Sequence, residues 1–185
     1  AQAIAAQCVT VQQMAEDLAA LAEGADLDRW EQVEPSALAE ALLQSFGPLL
    51  ALNRQRLSVE IAPGLGPLRG DRRRLLHALG NLLENASRHG PEGSTITLRM
   101  YRAAEEGTGR LVVLEVEDEG PGIPEGQREA VQAWGVGHGT GLGLSIVREI
   151  AERHGGRLRV GQAPGGGARL SLVLPSGGEE ASPSE

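Results

Sequence analysis

What most constrains this chain is the order of its periodicities. Helical stretches alternate with adjacent pairs of strands, not with single strands. Pro35 suits the first turn of a helix whose buried face is expected to be Leu38, Ala41, Leu42, Ser45, Leu49 and Leu52. A strand follows over Arg56–Ile61, then a turn at 63–67 and a short strand end at 68–70. Asp71 caps a long helix that Gly90 and Pro91 terminate. Strands are expected at 95–102 and 111–117, a helix at 141–154, and strands at 157–160 and 168–174. Between 117 and 141 stand a glycine–proline loop and a poorly patterned segment, 125–140, that reads as a lid. Paired strands between helices predict an α+β two-layer sandwich, not a doubly wound parallel sheet.

Charge and composition remove several functions. The net charge of −8 argues against a nucleic-acid-binding face. A phosphate ligand would have to be held locally, by backbone N–H groups, a few arginines or a metal. All 17 basic residues are arginine. A phosphate-binding loop that needs lysine is therefore excluded, as are the usual protein-kinase lysine and Schiff-base chemistry. The lone cysteine, Cys8, allows neither an internal disulfide nor a cysteine-cluster metal site and fits a reducing, cytoplasmic setting. Ala1–Thr10 lacks the basic start of a signal peptide.

Three stretches carry candidate chemistry. On the 71–89 helix, Leu75, Leu79, Leu82, Leu83 and Ala86 form an apolar stripe, while His77, Asn81, Asn85, Arg88 and His89 recur at steps of four or three. Asparagine is a poor helix-interior residue, and its two appearances at i, i+4 mark either a solvated face or a site. An amide oxygen suits Mg²⁺, and Arg88 is one turn from Asn85. The second stretch, Asp118-Glu119-Gly120-Pro121-Gly122-Ile123-Pro124, leaves a strand. Its carboxylate is able to accept from an exocyclic amine, its glycines let the chain turn beneath a flat ring, and Ile123 would cover that ring. The third is GVGHGTGLGLSIV, residues 135–147, where five glycines at alternate positions open a helix. They serve either as a hinge or as backbone that approaches a ligand closely, such as phosphates at a helix N-terminus. The spacing is not the G-x-G-x-x-G of dinucleotide sites.

Together, in this order, the motifs resemble those of the ATP-binding domain of sensor histidine kinases, in the GHKL (Bergerat-fold) superfamily. NLLENASRH resembles the N box, DEGPGIP the G1 box and GHGTGLGLSIVREIAERHGG the G2 box, and the likeness runs over about residues 30–175. The resemblance implies a mixed sheet packed on three helices, preceded by an N-terminal helix. It implies ATP and Mg²⁺ as ligands: Asn85 on the metal with Asn81 in support, Arg88 near the phosphates, and His89 where an aromatic ring usually flanks the nucleotide. Asp118 stands for the residue that receives the adenine amino group, in a loop formed by Gly120, Gly122 and Ile123. Gly139, Thr140, Gly141, Leu142, Gly143 and Leu144 correspond to the lid hinge and the phosphate-facing helix start.

The resemblance also separates kinase from hydrolase. Gyrase-like and chaperone-like members carry a glutamate four residues before the Mg²⁺ asparagine, as a base for water. Here that position is Asn81, and Glu84 points about 100° away around the helix. Phosphoryl transfer to a histidine on a dimerisation bundle is therefore expected, with onward relay to a response-regulator aspartate. None of His77, His89, His138 and His154 has the acceptor context. Ile4, Val11, Met14, Leu18 and Leu21 form heptads over 1–23 that pack either on their own domain or in a dimeric bundle. The resemblance makes them the second bundle helix, in a homodimer, with the acceptor helix upstream. By composition Gly24–Glu34 reads as a linker. The expected domains are bundle helix plus linker over 1–30, the ATP-binding domain over 31–175 and a disordered acidic tail over 176–185. The parent could be a membrane-bound sensor whose cytoplasmic part this is. The lid lacks the family's usual aromatic box; Trp134 either takes that role or is a surface residue, and Arg128 is within reach of a phosphate. A serine-phosphorylating relative and a degenerate nucleotide-binding scaffold are the competing readings.

Overall fold

The computed structural model of the chain describes residues 29–105, 109–134 and 142–176. The helix expected over 1–23, most of the linker, lid residues 135–141 and the tail beyond 176 lie outside the described residues.

The elements run β1 (Trp30–Val33), α1 (Pro35–Leu52), β2 (Arg56–Ile61), β3 (Leu68–Asp71), α2 (Arg72–His89), β4 (Thr95–Glu105), β5 (Gly109–Glu117), α3 (Glu125–Trp134), α4 (Leu142–Arg153), β6 (Arg157–Gln162) and β7 (Ala168–Pro175). A five-stranded sheet has the order β2-β4-β5-β7-β6. β2 is parallel to β4, with Arg56 opposite Thr95, and the other pairings are antiparallel. The expected α+β sandwich with a mixed sheet is the fold observed.

Strand alternation sends Ile96, Leu98 and Met100 of β4, Val112, Leu114 and Val116 of β5, and Leu170, Leu172 and Leu174 of β7 to one face. There they meet Leu75, Leu79, Leu82 and Leu83 of α2 and Val147, Ile150 and Ala151 of α4. Each fully buried aliphatic side chain contributes about 1.5–3 kcal/mol. Leu38, Leu42 and Leu50 close the core from α1, and Phe46 packs on it beside Gly80, where an added Cβ would lie 3.3 Å from the ring. This row of i+4 steps corrects the expected α1 face by about one residue: Leu52 is exposed, and Ser45 and Leu49 are not buried.

The other face of the sheet carries a charged network beside a small apolar cluster of Leu111, Val113 and Val173, with Tyr101 and Ala103 packed against it. Arg99 bridges Glu60 at 2.7 Å and Glu117, and Arg169 reaches Glu117 at 2.5 Å. Glu115 is buried beneath them and accepts from Tyr101 and Ser171 at 3.2 and 3.0 Å. Hydrogen bonds to Glu60 and Glu117 raise the Arg99 pKa, and burial followed by the neighbouring Glu115 raises that of Tyr101.

Two further expectations need correction. The linker does not run unstructured to Glu34: Trp30–Val33 pair antiparallel with Leu68–Asp71, as a strap beside the main sheet. Four residues, of which only Val33 is buried, gave too little alternation to read as a strand. The 125–140 segment begins as a helix, α3, anchored by Val131 in the core.

Candidate functional site

The site is built on α2. Asp71 caps this helix, its Oδ1 accepting from the Arg74 N–H at 3.1 Å while Oδ2 accepts from the Arg29 N–H at 3.0 Å. Burial tends to raise the Asp71 pKa, but these two N–H donors, with Arg73 and Arg74, outweigh it and hold the carboxyl below its ordinary value. The leucine stripe fixes the rotation of α2, which leaves Asn81 and Asn85 one turn apart on another side. Asn81 is only 5% exposed. Its Nδ2 donates to the His77 carbonyl at 3.3 Å, and its Oδ1 faces Gly143 in the first turn of α4, where an added Cβ would lie 3.0 Å away. Gly143 is thus a contact glycine: it lets the start of α4 rest against the asparagine.

Arg88 is exposed and turned onto Glu84, with Nη2 2.6 Å from Oε1. It also lines a polar groove with Asn53, Arg54, Gln55, Ser87 and Glu92, which shares no residue with the Asp118 loop. His89 is half-buried, and its carbonyl would be 2.6 Å from a Cβ at Gly120. The end of the amide helix is therefore pressed against the glycine loop.

Asp118 is 5% exposed at the end of β5. Its Oδ1 accepts from Gly120 at 2.8 Å and from Ala168 at 3.0 Å, and its own N–H donates to the Ala168 carbonyl at 3.1 Å. Oδ2 has no hydrogen-bond partner among the described residues, so one lone-pair face of a rigidly held carboxylate is left for a ligand. Gly122 adopts φ +73° and its missing Cβ makes room for the Gly166 carbonyl. Gly167 lies so close that a Cβ would overlap the Asp118 carbonyl oxygen. Ile123 continues the loop, half-buried against the core. Arg128 does not point to open space: it donates to the Ile123 carbonyl at 2.8 Å and to Gln162 at 3.0 Å, bracing α3 on the loop.

The fold thus brings Asn81, His89, Asp118, Gly120, Gly122, Gly143 and Leu144 around one edge where α2, the β5 loop and the start of α4 meet. Asn85 shares the α2 side with Asn81, whereas Arg88 is drawn off by Glu84. Gly139, Thr140 and Gly141 lie outside the described residues, as does the side chain of Leu142. Gly166 and Gly167 went unmarked as site residues; the three-glycine run 165–167 was their signal.

A family model described as "Histidine kinase-, DNA gyrase B-, and HSP90-like ATPase" matches residues 70–178, from the cap of α2 to just beyond β7. The chain belongs to this family. Among relatives of this ATPase domain, the alginate biosynthesis sensor protein KinB of Pseudomonas aeruginosa is 39% identical over 137 residues, 71% of this chain and 22% of that protein. The sensor protein kinase CarS of the same species is 41% identical over 157 residues, 82% of this chain and 32% of that protein. The chain therefore spans less than a third of the length of either relative. Full-length ShkA, solved in complex with AMPPNP, superposes with a TM-score of 0.72 at 25% identity over 86% of this chain and 34% of that one. Among the described residues no helix is long and apolar enough to cross a membrane.

Proposed function

We propose that this chain is the ATP-binding catalytic portion of a two-component sensor histidine kinase, which transfers the γ-phosphoryl group of ATP to a histidine on a dimerisation bundle. The observation that carries the reading is the Asp118 carboxylate: one oxygen is immobilised by two backbone N–H groups, the other is unengaged among the described residues, and glycines surround it. An adenine amino group is a donor and needs such an acceptor, and the glycines let the loop pass beneath a flat ring.

The roles follow from this. Asp118 accepts the adenine amine and orients the base, and Gly120, Gly122 and Ile123 form the floor and wall of its pocket. Asn85 offers an amide oxygen to Mg²⁺, which when bound neutralises phosphate charge. Asn81 steadies Asn85's side of the helix and seats α4. Arg88 turns from Glu84 to the phosphates, and Gly139–Leu144 supply hinge and backbone N–H groups at the α4 start. His89 flanks the nucleotide. A glutamate at position 81 would activate water; an asparagine committed to the His77 carbonyl and to Gly143 does not. This favours transfer to a delivered nucleophile over hydrolysis. On this reading residues 1–30 belong to an N-terminal helical bundle that forms a homodimer, this portion is cytoplasmic and a response regulator is the next acceptor; it is in keeping with this that the relatives are a sensor protein and a sensor protein kinase.

The test is a calorimetric titration of the chain and of Asn85→Ala with ATP, with and without Mg²⁺. Mg²⁺-dependent binding that falls tenfold or more in the variant, about 1.4 kcal/mol, is expected. An intact chain that binds no ATP refutes the reading. With a supplied dimerisation bundle, label from the γ-phosphate is expected as acid-labile phosphohistidine; phosphoserine would make this the serine-phosphorylating relative, and binding without transfer a scaffold.

A further inference from the structure

His154 is 6% exposed, directly after α4, and its two ring nitrogens have opposite duties. Nδ1 lies 2.7 Å from the Ile150 carbonyl, an acceptor only, so Nδ1 carries the proton. Nε2 lies 3.1 Å from the Asp71 backbone nitrogen, whose N–H donates, so Nε2 must be bare. Both contacts hold only for one neutral tautomer. Trp30 of β1 packs against the ring at a tilt, with centroids 4.9 Å apart and the planes at 49°. Gly70 admits the imidazole to the strap, since a Cβ there would lie 3.1 Å from Nε2.

This joint gathers three parts of the molecule at Asp71. Its backbone N–H is held by the end of α4, its side chain caps α2, and its Oδ2 receives the N–H of Arg29 on the chain leading into β1. α2 carries Asn81 and Asn85, and α4 begins at the lid, about 18 Å from its far end for 12 residues. At that beginning Gly143 rests on Asn81. The same two helices that form the nucleotide edge are pinned together, at their other ends, through His154.

We propose that His154 is a positioning residue whose neutral imidazole sets how the Trp30–Val33 strap, α2 and α4 sit on one another, and that its protonation releases this joint. A proton on Nε2 turns the acceptor into a second donor facing the Asp71 N–H, and the bond cannot survive. Among the described residues, the charged groups on the elements that meet here are Asp71, with Arg74 3.8 Å from its Oδ2, Arg69, whose guanidinium lies 5.9 Å from the Trp30 ring centroid, and Arg153, next in sequence to His154 and paired with Glu149. The Asp71 carboxylate is committed to Arg29 and Arg74. The effect on nucleotide binding rests on the functional reading above; the effect on the strap does not.

The test compares the intact chain with His154→Gln, which keeps an acceptor near Nε2 and does not titrate, and with His154→Phe, which removes it. Imidazole nitrogen resonances, the Asp71 amide and the Trp30 resonances are followed by NMR from about pH 7.5 to 5. Expected are an Nδ1–H tautomer at neutral pH and strap resonances that move with the His154 titration. In His154→Gln they should stay still, and in His154→Phe they should be displaced at every pH. Affinity for Mg²⁺-ATP, read as the ratio of the intact chain to His154→Gln so that protonation of ATP itself cancels, should drop about fivefold or more between those pH values. An Nε2–H tautomer, a strap indifferent to the titration, or a constant affinity ratio overturns the proposal. Should neither variant fold, the tautomer and strap titration of the intact chain still decide it. A chain that binds no ATP refutes the kinase reading, while the strap resonances continue to judge the joint.

Discussion

Gly167→Ala tests whether the Asp118 site depends on contact distance. A Cβ on Gly167 would overlap the Asp118 carbonyl oxygen and lie 2.6 Å from its carbon and 2.8 Å from Oδ1. Two of these atoms are backbone in the sheet, so no rotamer change relieves the clash and the two strand ends must part. Overpacking of this kind costs about 1–3 kcal/mol. Parting also breaks the Ala168 N–H bond to the Asp118 carboxylate, which at 3.0 Å is worth about 1.5–3 kcal/mol. The sum is about 2.5–6 kcal/mol, and the melting temperature should fall by roughly 10 °C or more. Gly165, in the same turn, has nothing within 4 Å of its would-be Cβ and does not need positive φ. Gly165→Ala should therefore be neutral or stabilise by about 0.4–1 kcal/mol. Thermal and urea unfolding of both variants, with ATP titrations beside them, make the comparison. If Gly167→Ala melts within about 2 °C of Gly165→Ala and binds ATP equally well, the reasoning is wrong.

Asp118→Asn can keep one oxygen on the Gly120 and Ala168 N–H groups and present an amide NH2, a donor, where the acceptor Oδ2 stood. Affinity for ATP should fall about 10–100-fold with the fold retained, and preference over a nucleotide carrying oxygen at that ring position should vanish, as competition titrations would read. Glu84→Gln releases Arg88 from an exposed i, i+4 pair worth about 0.3–0.5 kcal/mol. Stability should barely move while ATP affinity rises; unchanged affinity in calorimetry would remove Arg88 from the phosphate site. The lowered pKa of Asp71 means its contribution to stability is present above the unfolded value near 4 and is lost as pH falls through the folded value. Asp71→Asn should therefore flatten the acid limb of the stability–pH curve, measured by urea unfolding, and lower stability at neutral pH.

Long periodic elements were legible because burial decides them. The leucines of α2 and the alternation in β4, β5 and β7 have one low-energy arrangement, and the structure adopts it. β1 was not legible, since its register is set by Leu68–Asp71, far away in sequence, and not by its own residues. The α1 face drifted because Phe46 is accommodated by Gly80, a fact about another helix. In the site, Asn81 and Asp118 stood out by residue type at unusual positions. Their partners did not: that Gly143 seats against Asn81, or Gly167 against Asp118, is a matter of distances across the fold. Nothing in the sequence marks His154 beyond its lack of acceptor context, because its partners, Asp71 and Trp30, lie far from it along the chain.

β7, the last strand in sequence, lies inside the sheet between β5 and β6. On a growing chain, β5 would be complete with one edge still open, its ladder partner roughly 50 residues away. At 5–20 residues per second that is about 3–10 s of synthesis. For that time Val112, Leu114 and Val116 share an unfinished face, and unpaired backbone N–H and C=O groups border it. The domain is thus obliged to wait for its own end. A ribosome that pauses before residue 168 leaves a strand edge open to any neighbouring chain, which makes the pace of translation a determinant of how much of this protein reaches its native sheet.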